Sequence, residues 1–255
     1  MRLIEWNING RSRSTHKQAK ASNFIYKKIM DHSPDVIVLT EFVSASYEGL
    51  KALLGQQDYF CFHSGNIGNE ILIAIKKDKY DVFCSSALEL ENQPNRPNYL
   101  SLTLKDLETG KKIVLGGVRI TIGGSDLFQD FKSRRQQLNW LTDKLERVKY
   151  PMLIVGDLNN GVYHNGSPDE EQTFIGKPRQ YYNYYLVKRK MKENSVTVTT
   201  PARGMSWRYC RLDHCLSKKL RILSASYDSS FMNDPDYKHI IGYPDHSQLV
   251  VTYDF

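Results

Sequence analysis

Polar residues of a few chemical types stand where apolar, strand-like runs break off. In "LIVGDLNN", residues 153–160, a β-branched run gives way to Asp157 and Asn159, two positions apart. Residues two apart on an extended chain point to the same side, so both side chains can reach one ligand. Alone, the pattern is also that of a strand entering a tight turn at Asn160-Gly161, because Gly, Asp and Asn are ordinary turn residues. The arrangement recurs elsewhere in the chain. "RLIEW" leads into Asn7 and Asn9, and "DVIVLT" leads into Glu41. Two later runs carry such groups at their beginnings, Asp213 in "RLDHCL" and Asp245-His246 in "PDHSQLVV". If the later strands run opposite to the earlier ones, all these groups gather at one edge of the sheets.

Carboxylates brought together repel and raise one another's pKa, and a hard divalent cation relieves that repulsion. Oxygen ligands from Asp, Glu and Asn suit Mg²⁺ or Mn²⁺. A metal that keeps several waters can bind a phosphate and position a water. His246 is a candidate donor to phosphoryl oxygens, with Asp213 fixing its tautomer and supporting its charge. Phosphodiester hydrolysis needs these services together.

The elements that must hold these residues alternate short strands with helices. "RLIEW" reads as a first strand. "QAKASNFIYKKIM" reads as a helix that puts Ala21, Phe24 or Ile25, and Ile29 on one face. "DVIVLTE" reads as a buried strand, and "SASYEGLKALL" as a short helix with Ser44 as its cap. "EILIAIKK" and "DVFCSS" follow as strands, then "NYLSLTLKD" and "KKIVLGGVRIT" as a hairpin turned at Glu108-Thr109-Gly110. From Ser125 to Pro151 a helix presents Phe131, Leu138, Leu141, Leu145 and Val148 on one face. "PMLIVGDLN" is a strand, "RQYYNYYLVKRKMK" a helix, and "SVTVTT", "RLDHCLS" and "SQLVVTYDF" are strands. Hairpins mixed with crossovers argue for mixed sheets with flanking helices. No glycine-rich dinucleotide fingerprint follows the first strand. The expectation is one domain spanning 1–255.

The 255 residues carry a net charge of +7, which favours an anionic partner such as nucleic acid or another phosphate ester. Four cysteines without metal-ligand spacing read as reduced and buried. No stretch reaches membrane-spanning length and no leader segment opens the chain, so a cytoplasmic monomer without a membrane span is expected.

At these residues the chain resembles the endonuclease/exonuclease/phosphatase superfamily, the DNase I-like fold that includes exonuclease III and the apurinic endonucleases. The matching pieces are "EWNING", "DVIVLTE", "VGDLNN", "SWRYCRLDHCL" and "PDHSQLVV", in the family's order over nearly the whole chain. The resemblance implies an α/β fold, a four-layer α/β-sandwich of two packed mixed β-sheets flanked by helices. It implies Glu41 as the principal metal ligand, Asn7 and Asn9 supporting the metal and phosphate site, and Asp245 completing the metal shell. Asp157 would orient or deprotonate the attacking water, and Asn159 would hold the phosphate or assist the metal. His246 would stabilise the developing charge, with Asp213 behind it. Two departures stand out: Asn9 replaces an Asp, and Arg119 stands closest to the position usually held by a His. An arginine cannot readily act as an acid but can clamp phosphate oxygens, so Arg119 is assigned to substrate binding.

Bland alternatives remain for other residues. His214, adjacent to Asp213, faces the opposite side of its strand and reads as structural, and His63 and His239 as structural or surface residues. Trp207 reads as core packing. Lys132, Arg134 and Arg135 read as a solvated helix face, and Tyr181, Tyr182, Tyr184 and Tyr185 mainly as packing. Arg11 and Arg13, directly after Asn9, are expected to contact the phosphate backbone. The reading is a divalent-metal-dependent phosphodiesterase, a nuclease on DNA or RNA. A phosphatase acting on a small phosphorylated substrate such as an inositol phosphate or phospholipid head group is the alternative, and a non-catalytic nucleic-acid binder a second.

Overall fold

The computed structural model describes residues 1–10, 15–65, 69–87, 95–122, 126–163, 184–208 and 210–254. Two six-stranded sheets face one another. The first contains β1 (Arg2–Asn7), β2 (Val36–Phe42), β3 (Tyr59–His63), β4 (Glu70–Lys76), β11 (Arg221–Asp228) and β12 (Gln248–Asp254), in the order β11-β12-β1-β2-β4-β3. The second contains β5 (Tyr80–Ala87), β6 (Asn98–Asp106), β7 (Lys112–Arg119), β8 (Met152–Tyr163), β9 (Thr197–Thr199) and β10 (Cys210–Lys218), in the order β5-β6-β7-β8-β10-β9. Both sheets are mixed: β1 is parallel to β2 and antiparallel to β12, while β8 is parallel to β7 and antiparallel to β10. The late strands therefore do run opposite to the early ones.

Continuous apolar runs in the central strands reflect burial on both faces. In β2, Val36 and Val38 enter the core between the sheets while Ile37 and Leu39 face the helices. In β8, Leu153 and Val155 point inward and Met152 and Ile154 outward. Helices α1 (Thr15–Met30) and α2 (Glu48–Gln56) cover the first sheet through Ala21, Phe24, Ile25, Ile29, Leu50 and Leu54. Helices α3 (Leu127–Glu146) and α4 (Tyr184–Glu193) cover the second through Leu138, Leu141, Leu145, Val187 and Met191. The result is the expected four-layer sandwich. Among the described residues no helix is long and apolar enough to cross a membrane.

Several local expectations differ from the structure. Ser44 does not cap a helix: it opens a 3₁₀ turn, Ser44–Ser46, and its backbone N–H and hydroxyl donate to Glu70 Oε1. Tyr47 precedes α2 and offers no side-chain cap. β8 does not end in a turn at Asn160-Gly161 but continues to Tyr163, paired with β10 on both sides of an irregularity. The edge strands β3 and β11 were not foreseen, because their mixed, half-exposed faces carry little apolar alternation. Of the four free cysteines, Cys210 and Cys215 are buried and Cys61 partly so, but Cys84 is exposed.

Candidate active site

Strand register lines up the charged groups before any side chain is considered. Arg119 is opposite Asp157 in the β7–β8 pair, and Asp157 is opposite Asp213 in the β8–β10 pair. One row across the second sheet thus reads Arg119, Asp157, Asp213. The first sheet supplies Asn7 at the end of β1, Glu41 in β2, and His246 just before β12.

The strand continuing past Asp157 is irregular in a way that serves this row. Between the pairs Asp213–Asp157 and Arg211–Val162, β8 uses extra residues and bulges. Bulges of this kind re-aim side chains beside functional sites. Asn159, in the bulge, has φ 46°, and Asn9 and Glu41 have φ 51° and 53°. Left-handed backbone is uncommon for residues other than glycine and costs on the order of 1–3 kcal/mol each, held by the surrounding structure. Gly156 enters the bulge with φ 148°, and a Cβ there would lie 1.9 Å from Val118 O. At Gly10 a Cβ would lie 2.3 Å from Glu41 O, the atom that accepts the Gly10 N–H at 2.9 Å.

The side chains then close on one another. Asn7 Nδ2 donates to Glu41 Oε1 at 3.1 Å and to Asp157 Oδ2 at 3.2 Å, tying the two sheets together. Arg119 Nη2 pairs with Glu41 Oε1 at 2.5 Å, and its Nε lies 3.8 Å from Asp157 Oδ2. That Nε is buried and without a hydrogen-bond partner. Asn159 donates to Asp157 Oδ1 through its backbone N–H at 2.8 Å, and to Asp157 Oδ2 and Ile120 O through Nδ2. His246 Nδ1 donates to Asp213 Oδ2 at 2.9 Å, leaving Nε2 for a ligand. The Trp6 indole N–H holds His246 O at 2.8 Å, and Tyr227 OH holds Asp213 O at 2.6 Å.

Asn9 and Asp245 sit further out. Asn9 is partly buried; its N–H donates to Asn7 Oδ1 and its Nδ2 to Tyr243 O. Asp245 is exposed and accepts from Trp207 Nε1 at 3.2 Å. Among the described residues no three His, Cys, Asp or Glu side chains form a group that could hold a metal ion. Arg11 and Arg13 lie outside the described residues, as do Tyr181 and Tyr182.

Burial and charge set the titration of the row. Burial pushes Asp157 up to about 6, with the Asp213 charge adding and the His246 and Arg119 charges opposing. Burial opposes ionisation of His246 as well, yet the Asp213 charge and hydrogen bond outweigh it and raise the imidazole to about 9. Asp213 is held below the usual carboxylate range: burial acts against this, and the His246 charge and hydrogen bond prevail. The pair is therefore imidazolium–carboxylate at neutral pH, while Asp157 is poised to take up a proton.

Three residues near the site escaped the sequence reading. Glu5 is fully buried beneath Asp213, and burial followed by the Asp213 and Asp157 charges raises its pKa well above the ordinary value. Its signal was a lone carboxylate inside an otherwise apolar strand. Arg134 is not on a solvated face: it is buried, donating to Asn159 O at 2.7 Å and pairing with Asp130 at 2.7 Å. It shares the stripe of Leu138, Leu141 and Leu145 at helical spacing, which was the available signal. Trp207 is not core but half-buried at the rim, 6.2 Å from the His246 ring, with Arg208 stacked over it at 4.6 Å. His214 does face away: its ring bonds Asn160 O at 2.8 Å and Thr200 Oγ1 at 2.7 Å, and burial lowers its pKa to about 4. Tyr184 packs on that ring.

Comparisons place this geometry among known folds. A family model described as "Endonuclease/Exonuclease/phosphatase family" matches residues 4–231. A humanised TDP2 from D. rerio superposes with a TM-score of 0.69 at 15% identity, covering 100% of this chain and 99% of that one. The human Nocturnin catalytic domain with a bound sulfate anion gives 0.68 at 18% identity, covering 100% and 93%. The mannosyl-6-phosphatase Bt3783 of Bacteroides thetaiotaomicron gives 0.69 at 13% identity, covering 100% of each chain. No curated protein sequence matches the chain.

Proposed function

The chain belongs to the endonuclease/exonuclease/phosphatase family, hydrolases of phosphoric ester bonds, and from that premise we propose that it is a divalent-metal-dependent phosphodiesterase, a nuclease acting on DNA or RNA. The observation that carries the reading is the buried His246–Asp213 pair in one row with Asp157 and Arg119. It offers a fixed proton acceptor beside two fixed positive donors, the set that in-line attack of water on a phosphodiester requires.

In this reading Asp157 accepts the proton of the attacking water, oriented by the Asn159 N–H and Asn7 Nδ2 that already hold its oxygens. His246, kept charged by Asp213, donates from Nε2 to a phosphoryl oxygen. Arg119 offers to the same anion its Nε, which has no hydrogen-bond partner. Arg134 fixes the Asn159 carbonyl and so the bulge that aims Asp157. The residues suit Mg²⁺ or Mn²⁺: Mg²⁺ is commonly held by one or two carboxylates with waters and substrate phosphates rather than by a full protein cage. Glu41 is the buried carboxylate at its centre, and Asn9 and Asp245 are the outer oxygen donors. When bound, the ion supplies Lewis-acid polarisation of a phosphoryl oxygen. Protonation of the leaving oxygen falls to water. The net charge of +7 and the stack of exposed Arg208 on half-buried Trp207 beside His246 favour a nucleic-acid substrate.

The test is a cleavage panel of single- and double-stranded DNA, RNA, abasic DNA and inositol phosphates with Mg²⁺ or Mn²⁺. Metal-dependent cleavage of a nucleic acid, lost by about 10²–10⁴-fold in Asp157→Ala and His246→Ala, is expected. Turnover of inositol phosphates alone would replace the nuclease by the phosphatase reading, and affinity without turnover by the binder.

A further inference from the structure

The ion pair between Arg119 and Glu41 puts a cation where the metal reading needs a free carboxylate. Both groups are buried, and Glu41 Oε1 already accepts from Arg119 Nη2 at 2.5 Å and from Asn7 Nδ2 at 3.1 Å. Removing one partner from a buried pair leaves an uncompensated charge that the fold tolerates poorly. Any divalent ion that takes Glu41 must therefore replace the positive charge it displaces. The guanidinium, in turn, must find another anion within reach of β7. Its Nε lies within ion-pair distance of Asp157 Oδ2 at 3.8 Å but beyond hydrogen-bond distance, and it has no hydrogen-bond partner. Such a fork is half-engaged: one arm neutralises Glu41, and the other is buried beside Asp157 without a hydrogen bond.

We infer that Arg119 is a resident counter-cation that a divalent ion displaces from Glu41, and that the displaced guanidinium then binds the phosphoryl oxygens. The inference rests on the metal-dependent reading above and adds an order to it: the ion and the phosphate assist each other through one side chain. An ion at Glu41 frees the fork for phosphate, and phosphate on the fork frees Glu41 for the ion. Such assistance is reciprocal, with equal factors in both directions. A histidine at this position, neutral above its pKa, would not compete with the ion in this way.

Mn²⁺ titration of the metal-free chain, followed by electron paramagnetic resonance of the free ion, tests this without any turnover. Arg119→Gln is expected to bind Mn²⁺ about tenfold more tightly than the wild type, within the usual range of site-to-site linkage. Inorganic phosphate is expected to tighten Mn²⁺ binding in the wild type and to do so at least several-fold less in R119Q. Circular dichroism checks folding, and Arg119→Met, similar in reach and uncharged, replaces R119Q should the latter not fold. Equal or weaker Mn²⁺ binding in a folded neutral variant overturns the inference while leaving the metal reading in place. No Mn²⁺ binding by either wild type or variant overturns both.

Discussion

His246 and Asp157 make the pH response of this site readable from single residues. In the proposed mechanism the imidazole must stay charged to donate, and it is raised to about 9, while Asp157 must be ionised to accept, and it is raised to about 6. The profile of kcat/KM should therefore be bell-shaped, falling below about 6 as Asp157 protonates and above about 9 as His246 loses its proton. The same shift carries stability. Because the folded value of His246 lies above its ordinary 6.5, its contribution is complete below that pH and is lost as pH rises through about 9. Glu5 changes stability in the same direction for a different reason: its raised pKa favours the neutral acid, so the fold loses stability as pH climbs above the ordinary 4.5. Glu5→Gln keeps the shape and removes that loss. Thermal melts should show little difference from wild type at pH 4.5 and a higher Tm for the variant at pH 8. The identities of Asn7, Glu41, Asp157, Asp213 and His246 were legible because each interrupts or adjoins an apolar run. Their pairing was not: sequence spacing says nothing of Arg119 reaching Glu41 across two sheets.

At the scale of elements, β8 carries the most instructive discrepancy. Gly, Asp and Asn in succession look like a turn, and locally they do bend the chain; the pairing with β10 beyond the bend keeps the segment a strand. Turn chemistry and strand pairing coexist as a bulge, and only the partner strand distinguishes the two. Gly156 is the hinge of this device. Gly156→Ala would drive a Cβ into Val118 O in a backbone region that side chains rarely adopt. It should lower stability by roughly 1–3 kcal/mol or more, measured by urea denaturation, and reduce turnover because Asp157 follows directly. Helix α3 teaches the complementary lesson. Its apolar stripe was read correctly through Leu138, Leu141 and Leu145, yet Arg134 on that stripe was assigned to solvent by residue type. Periodicity was the better guide, since a buried arginine needs only partners, here Asp130 and Asn159 O.

For the whole molecule, the core between the sheets was the most legible feature, because two-faced burial leaves long runs of Val, Ile and Leu. Leu115, in β7, is fully buried there. Leu115→Ala should cost about 2–5 kcal/mol, read as a lower urea midpoint with an unchanged m-value. The half-exposed edges, β3 and β11, left no such trace. Asn7 and Glu41 hang from one sheet, Arg119, Asp157 and Asp213 from the other, and Asn7 Nδ2 spans the gap to Asp157 with a bond of 3.2 Å. The site is thus a vernier between two plates. A slip of one residue, about 3.3 Å along a strand, would leave both sheets intact and every scale mark misaligned. Heat, pressure or a distant core substitution that loosens the plates should silence the chemistry while the secondary structure still reads as whole.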